Sequence, residues 1–565
     1  MRGDLEFMSV PRLVRTAAER YGEREAVVDG RTRISYRQLG AQVERAAAAC
    51  LAAGVRTGDR VAVWAPNSLG WIVCALGAVT AGAVLVPVNT RLKGAEAAQL
   101  LARTRARLLF VTGPFLGTSY VAALRQALAR RDGRTGRFAT RSADGQQGLP
   151  SGPLPGLPHL RDVVVLADEA PGGSRTWKEF LAAGGSVSAG AVRLRANGIG
   201  PGAPSDIMFT SGTTGLPKGV VVTQAQTLRA FATWADLAGL GEEDRYLIVN
   251  PFSHTFGYKA GVLACLMRGA TMVPQPVFEP GALLATLAAE RITVLPGPPA
   301  LYRSLLDHPG GADRGLSALR LAVTGAASVD GRLVERIRTE LGIATVLTAY
   351  GMSEATGLVT MCRRDDPPEV AAHSCGRAVP GTEVVVVDAA GAFLPPGGTG
   401  EILVRGHQVM AGYFENPSAT ARAVDPQGWL HTGDVGVLDA DGNLRITDRL
   451  TDMYVVGGFN VCPAEVERLL ARHPGLADVA VVGVPDARLG EVGKAFAVRR
   501  PGSRSPSAGE LLAWARREMA GYKVPREVEF VPELPRNAAG KVLKRRLRQG
   551  VERAGGEAGS GGVGR

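Results

Sequence analysis

Thr210-Ser-Gly-Thr-Thr-Gly-Leu-Pro-Lys-Gly219 is dense in hydroxyls and glycines and closes on a single lysine. Glycines let a backbone approach an anion, hydroxyls and backbone N–H groups donate hydrogen bonds, and Lys218 adds a compact charge. The stretch therefore reads as a phosphate cradle and points to ATP. A Walker A loop needs Gly directly before its Lys and Ser or Thr after it, and Pro217 and Gly219 stand in those places, so that reading fails. Apolar Asp206-Ile-Met-Phe209 leads in and Val220-Val-Val222 leads out, which predicts a strand–loop–strand frame rather than an idle surface loop.

A chain of 565 residues is long enough for a large core and roughly three to four structural units. A membrane span needs about 18 or more apolar residues. Ile72 to Val88 comes nearest, but its glycines and threonine make it read as a core helix followed by a buried strand. Met1-Arg-Gly-Asp-Leu-Glu-Phe7 carries no apolar secretory core, so a cytoplasmic location is expected. The cysteines at 50, 74, 265, 362, 375 and 462 show no Cys-x-x-Cys and no matching histidine spacing, which predicts reduced thiols rather than disulfides or zinc.

The formal net charge of +12 invites a nucleic-acid reading, but the basic residues are scattered with few aromatics between them, and no nucleic-acid partner is assigned. Lys541 to Arg553 is dense enough to meet phosphates, and an exposed helix face accounts for it equally well. Nearly every cation is Arg, with lysine only at 93, 178, 218, 259, 494, 523, 541 and 544. A guanidinium cannot replace a slim ammonium in a crowded site. Lys218 and Lys541, both in glycine-flanked loops, are therefore the leading functional lysines.

Strand and Ala-rich helix patterns alternate from Arg31 through Val346, an α/β rhythm. Residues 130–160 are Gly-, Ser-, Pro- and Arg-rich without periodicity and predict an exposed, mobile insertion. Gly400–Gly406 and Leu438–Ile446 read as β elements, the latter a hairpin turning at Asp441-Gly-Asn. The expected division is a large domain over 1–447, a hinge at 448–452, a small α+β domain over 453–550 and a disordered tail over 551–565. Helices are expected near 463–472 and 508–519 in the small domain, with strands near 479–484, 495–498 and 528–531.

Further constellations fall in loops. Ala349-Tyr-Gly-Met-Ser-Glu354 offers an aromatic face for a base, a hydroxyl for a phosphate and a carboxylate for Mg²⁺. Trp429-Leu-His-Thr-Gly-Asp434 offers a carboxylate for a ribose diol. A lone acid in a loop is more often a cap or a solvated charge, but with the Thr210–Gly219 stretch these supply every contact ATP needs.

With these motifs in order, the chain resembles the adenylate-forming superfamily of acyl-CoA synthetases, luciferases and peptide-synthetase adenylation domains. Thr210–Gly219 resembles its phosphate loop, Tyr350-Gly-Met-Ser-Glu354 its aromatic motif, Thr432-Gly-Asp434 its ribose motif and Pro535-Arg-Asn-Ala-Ala-Gly-Lys541 its C-terminal catalytic loop. The resemblance implies an α/β fold with a large multi-subdomain N-terminal domain and a smaller mobile α+β C-terminal domain. It implies that Thr210, Ser211, Gly212, Thr213, Thr214, Gly215 and Lys218 bind phosphate. Tyr350 and Gly351 would lie at adenine, Ser353 near the α-phosphate, Glu354 on Mg²⁺, and Asp434 and Arg449 on ribose. Gly325, Ala326 and Ala327 would wall the adenine and acyl pockets. Lys541 would bridge substrate and phosphate oxygens.

The implied reaction joins a small-molecule carboxylic acid to ATP and then to CoA. The small domain rotates between steps so that Gly457, Gly458 and Phe459 replace Lys541 at the site. Thr451 stands where the hinge usually carries Lys or Asp, and Cys462 where such ligases often carry an aromatic. Pro251-Phe-Ser-His-Thr-Phe-Gly-Tyr-Lys-Ala-Gly261 resembles the pocket motif, with His254 shielding the carboxylate site and Lys259 at the pocket rim, either answering a substrate group or snorkelling. This stretch and Asp448–Asn460 resemble actinobacterial CoA ligases that activate the ring-fused propanoate of steroid degradation. The same branch resembles diazotases of natural-product pathways, which adenylate nitrite and couple it to an aromatic amine without CoA. The sequence assigns no oligomeric state.

Overall fold

The structure is a computed structural model that describes residues 2–131, 154, 156–210, 217–309, 316–325, 329, 331–388, 390–449, 454–461, 463–500, 506–535, 542, 544 and 546–548. Among the described residues the strands form sheets of eight, nine, four and five. Short Val-, Leu- and Ala-rich runs become parallel strands buried on both faces, which sets the pattern of the two largest sheets. In the eight-stranded sheet, Arg60–Trp64 runs parallel to Val84–Pro87 on one side and Leu108–Thr112 on the other. In the nine-stranded sheet, Val294–Gly297, Leu321–Gly325 and Thr345–Tyr350 lie side by side and parallel.

Two helices tie these sheets together. Tyr36–Ala52 starts at a capping box in which the Ser35 hydroxyl accepts from the Gln38 N–H and the Gln38 side chain accepts from the Ser35 N–H. Leu69–Thr80 is capped by Ser68 and is apolar on nearly every face, as a helix buried all round must be. Both share one apolar cluster with Val61, Val63 and Leu85 of the eight-stranded sheet and Val27, Leu247 and Leu321 of the nine-stranded one. The helix-then-strand reading of Ile72 to Val88 holds, as helix Leu69–Thr80 and strand Val84–Pro87.

The reading of residues 130–160 as wholly exposed is corrected at its far end. Leu154, Leu157 and Leu160 are 7%, 2% and 3% exposed and pack with Leu124 and Leu128 of helix Tyr120–Arg131. Burying three leucines outweighs the turn-rich composition around them. Residues 132–153 and the tail 551–565 lie outside the described residues.

The four-stranded antiparallel sheet contains Leu430–Leu438 and Leu444–Arg449, joined by a turn in which Asp439 Oδ1 accepts from the Asp441 and Asn443 N–H groups. The five-stranded sheet pairs Leu476–Asp486 with Gly490–Arg499 and packs helices Pro463–Leu470 and Ala508–Glu518 over its own core. A cleft of about 2740 Å³ runs between these units and gathers loops from all of them.

Candidate active site

Strands Pro204–Thr210 and Lys218–Thr223 are antiparallel neighbours with Thr210 directly opposite Lys218, so the glycine-rich stretch is closed at its base by a pinned strand pair. The predicted frame is present, while Ser211, Gly212, Thr213, Thr214 and Gly215 lie outside the described residues. Both ends open on the cleft. The Lys218 ammonium sits 4.8 Å from the Tyr413 ring centroid. The Tyr413 hydroxyl donates to Glu354 Oε1 at 2.9 Å, and Thr210 Oγ1 reaches the same oxygen at 3.5 Å.

Glu354 follows the strand Thr345–Tyr350 in a single tight turn, Ser353–Ala355. That turn depends on Gly351, where a Cβ would lie 2.2 Å from the Gly357 carbonyl oxygen. Glu354 is 8% exposed, and burial pushes its carboxyl up from the ordinary range despite the Tyr413 and Thr210 hydroxyls and Lys218. Among the described residues no Lys, Arg or His forms an ion pair with it, and no group of three or more acidic, His or Cys side chains could hold a metal. One desolvated carboxylate beside Thr210 and Lys218 fits Mg²⁺, which is commonly held by one or two carboxylates plus substrate phosphates.

Two strands bring Tyr350 and Asp434 together in the same cleft. Asp434 lies on Leu430–Leu438, 7% exposed, with its backbone N–H donating to Thr432 Oγ1 at 3.1 Å. The Tyr350 hydroxyl donates to Asp434 Oδ2 at 2.7 Å. Arg449 is the backbone partner of Asp434 across the hairpin. Gly351 and Ser353 line the same cleft. Gly325 ends its strand opposite Ala349 and is set back behind Ala349, which does face the cleft. Ala326 and Ala327 lie outside the described residues, as do Lys541, Thr451 and Cys462.

The other end of the cleft holds His254, at the start of a short helix that continues into a π-helical turn, Tyr258–Leu263. Burial, and secondarily Arg91, push its imidazole down to about 4, so the ring is neutral. Asn89 Nδ2 lies 3.4 Å from Nε2. The small domain meets this wall. Phe459 packs edge-on against His254 with centroids 5.4 Å apart, and Arg91 lies 4.4 Å over the same Phe459 ring. Gly457 and Gly458 take φ of +56° and +86°, which only a glycine pair turns without strain, and carry Phe459 to this position. The resemblance-implied Gly457, Gly458 and Phe459 are thus at the cleft.

Lys259 is not at the rim. It is fully buried, 3.0 Å from Asp206 Oδ1 and donating to Thr227 Oγ1 at 3.2 Å. The side chain turns into the core because Asp206, one residue pair from the start of the loop-bearing strand, needs a countercharge there. The sequence reading passed over Tyr413, Arg91, Glu96 and Lys523. Lysine scarcity was a usable signal for Lys523; nothing local marked the other three.

A family model described as AMP-binding enzyme matches residues 14–414, and one described as AMP-binding enzyme C-terminal domain matches residues 465–541. The chain belongs to the AMP-binding enzyme family. This AMP-binding enzyme is 47% identical over 544 residues to the 3-[(3aS,4S,7aS)-7a-methyl-1,5-dioxo-octahydro-1H-inden-4-yl]propanoyl:CoA ligase of Mycobacterium tuberculosis, covering 96% of this chain and 99% of the relative. A ligase of the same description from Rhodococcus jostii is 46% identical, with coverage of 96% and 98%. Among solved structures, the amide bond synthetase McbA from Marinactinospora thermotolerans superposes with a TM-score of 0.79 at 30% identity, covering 96% of this chain and 99% of that one. The adenylate-forming fold, with its large N-terminal and small C-terminal domains, is therefore the fold of this chain. Among the described residues no helix is long and apolar enough to cross a membrane.

Proposed function

We propose that this AMP-forming acid–CoA ligase activates a propanoate borne on a fused, keto-bearing ring system, with Mg²⁺-ATP as adenylyl donor and CoA as acceptor. The observation that carries the reading is the single cleft that holds Thr210, Lys218, Glu354, Tyr350 and Asp434 at one end and His254 with Gly457–Phe459 at the other. The choice of acid rests on the two ring-fused propanoate ligases at 47% and 46% identity.

In this reading Asp434 grips the ribose diol, Tyr350 presents its ring to adenine, and Thr210 and Lys218 hold the β- and γ-phosphates as pyrophosphate departs. Ser353 lies beside the α-phosphate attacked by the substrate carboxylate. Glu354 would hold Mg²⁺, which when bound offsets charge on the transferring phosphoryl group. Lys541 serves the same first step by bridging the two reacting oxygens. Neutral His254 walls the carboxylate pocket without competing for its charge. The Gly457–Phe459 turn then lines the approach for the CoA thiol to the acyl adenylate.

AMP and pyrophosphate release measured across ring-fused propanoates, simple alkanoates, aryl acids, and nitrite with an aminobenzoate, each with and without CoA, tests this. Turnover that requires both a ring-fused propanoate and CoA is the expected result. AMP release from nitrite and amine without CoA would overturn it in favour of the diazotase reading.

A further inference from the structure

The side chain of Lys523 in the small domain is 5% exposed, and its ammonium bridges two carboxylates: Glu465 Oε1 at 2.7 Å within its own domain and Glu96 Oε1 at 2.8 Å on the large domain. The Glu465 and Glu96 side chains are themselves only 4% and 12% exposed, so this is a desolvated triad rather than a surface ion pair. Burial works against the Lys523 charge, and Tyr522, Glu96 and Glu465 together outweigh it. Glu96 is fixed before the small domain arrives. Its Oε2 accepts from the Lys93 N–H at 2.8 Å, as part of the cap on helix Gly94–Thr104. The neighbouring residue Tyr522 packs its ring at a tilt against Phe459 with centroids 4.7 Å apart, and Phe459 in turn meets His254 and Arg91.

We infer that Glu96 and Lys523 are positioning residues for thioester formation: their ion pair docks the small domain so that Tyr522 presses Phe459, and with it Gly457 and Gly458, against the His254 wall. The inference rests on the two-step ligase reading above. The pair spans 427 positions of chain and joins the two domains, whereas Lys523–Glu465 lies within one. Rotation of the small domain must therefore break the first and can keep the second. Glu465 stays neutralised in either orientation, so the contact can be made and released without stranding a buried charge.

Glu96→Gln tests this, because its amide oxygen can keep the Lys93 bond and the Lys523–Glu465 pair is untouched. Pyrophosphate exchange into ATP should stay within about twofold of wild type, while thioester formation from a preformed adenylate falls about tenfold, the loss expected for one charge-assisted contact. Glu96→Asp, which keeps the charge at shorter reach, should fall between. Equal loss in both half-reactions, or loss in neither, overturns the inference. A second readout does not depend on CoA. Site-specific spin labels at Leu194, 78% exposed on the large domain, and at exposed Gly509 on the small one should show a smaller docked population in Glu96→Gln. An unchanged distance distribution overturns docking. A wild-type protein that forms adenylate but no thioester sinks the acceptor reading instead, and leaves docking to be decided by the labels.

Discussion

Tyr413 donates to Glu354 across 2.9 Å, from a short strand paired with Lys218–Thr223 to the carboxylate proposed above to hold Mg²⁺. The bond favours the ionised form of a carboxyl that burial already pushes up. Tyr413→Phe removes it, so the Glu354 midpoint should rise further. The sign is fixed: the carboxylate is needed, a higher midpoint protonates it at higher pH, and the acid limb of pyrophosphate exchange moves upward. A limb that stays in place would separate Glu354 from the chemistry.

Asp434, proposed above to grip the ribose diol, is held by its own strand and by Tyr350, so its carboxylate is already oriented. Asp434→Ala deletes charge-assisted bonds worth about 1.5–3 kcal/mol, so ATP affinity should drop by about tenfold or more. The KM of the acid should hardly change. Calorimetric titration with ATP, beside the acid KM, checks both halves of this expectation.

Lys259 and Asp206 form a pair with neither side chain exposed. Removing one member of such a pair leaves a buried charge without its partner, at a cost of about 3–5 kcal/mol. Lys259→Met should therefore lower stability by that order while leaving the KM of the acid unchanged, since the ammonium faces Asp206 and not the cleft. Adding Asp206→Leu should recover much of the loss. Urea unfolding of the single and double variants measures it.

What the sequence made legible was local. The strands that frame the glycine-rich stretch, the Asp439–Asn443 turn and the small-domain helices are each written in a few consecutive residues, where turn chemistry and periodicity act directly. What it hid was pairing at a distance. Lys259 read as a rim residue because its motif faces a pocket, and only the packing of Asp206 beneath the π-helical turn shows otherwise. Leu154, Leu157 and Leu160 were masked by glycine and proline around them. Lys523 was one of the few lysines, yet its large-domain partner lies 427 positions away and carries no local sign of it.

His254 offers a pH test with a definite direction. Its folded-state midpoint is about 4 against an ordinary value of 6.5, so between those pH values the unfolded chain takes up a proton that the folded chain refuses. The His254 contribution to stability is thus fully present above 6.5 and is lost as pH falls toward 4. Activity should show no histidine limb near 6.5 arising from this ring. Arg91→Gln removes the smaller of the two causes, so the midpoint should rise yet stay below 6.5 because burial remains. NMR titration of the His254 ring protons reads the value directly.

Gly458 and Lys541 should divide the two half-reactions between them. At Gly458 the backbone φ is +86° and a Cβ would lie 3.2 Å from Pro298, so Gly458→Ala is strained in itself and is pushed away from the large domain. Thioester formation from a preformed adenylate should fall, and pyrophosphate exchange, which does not need that turn at the His254 wall, should persist. Lys541→Ala should do the reverse, crippling exchange while sparing thiol attack on supplied adenylate. Single-turnover measurements of each step on each variant give a crossed pattern if one domain serves both steps in two orientations. Parallel losses in the two variants would mean that both residues act on the same step, and the alternating use of the small domain would fail.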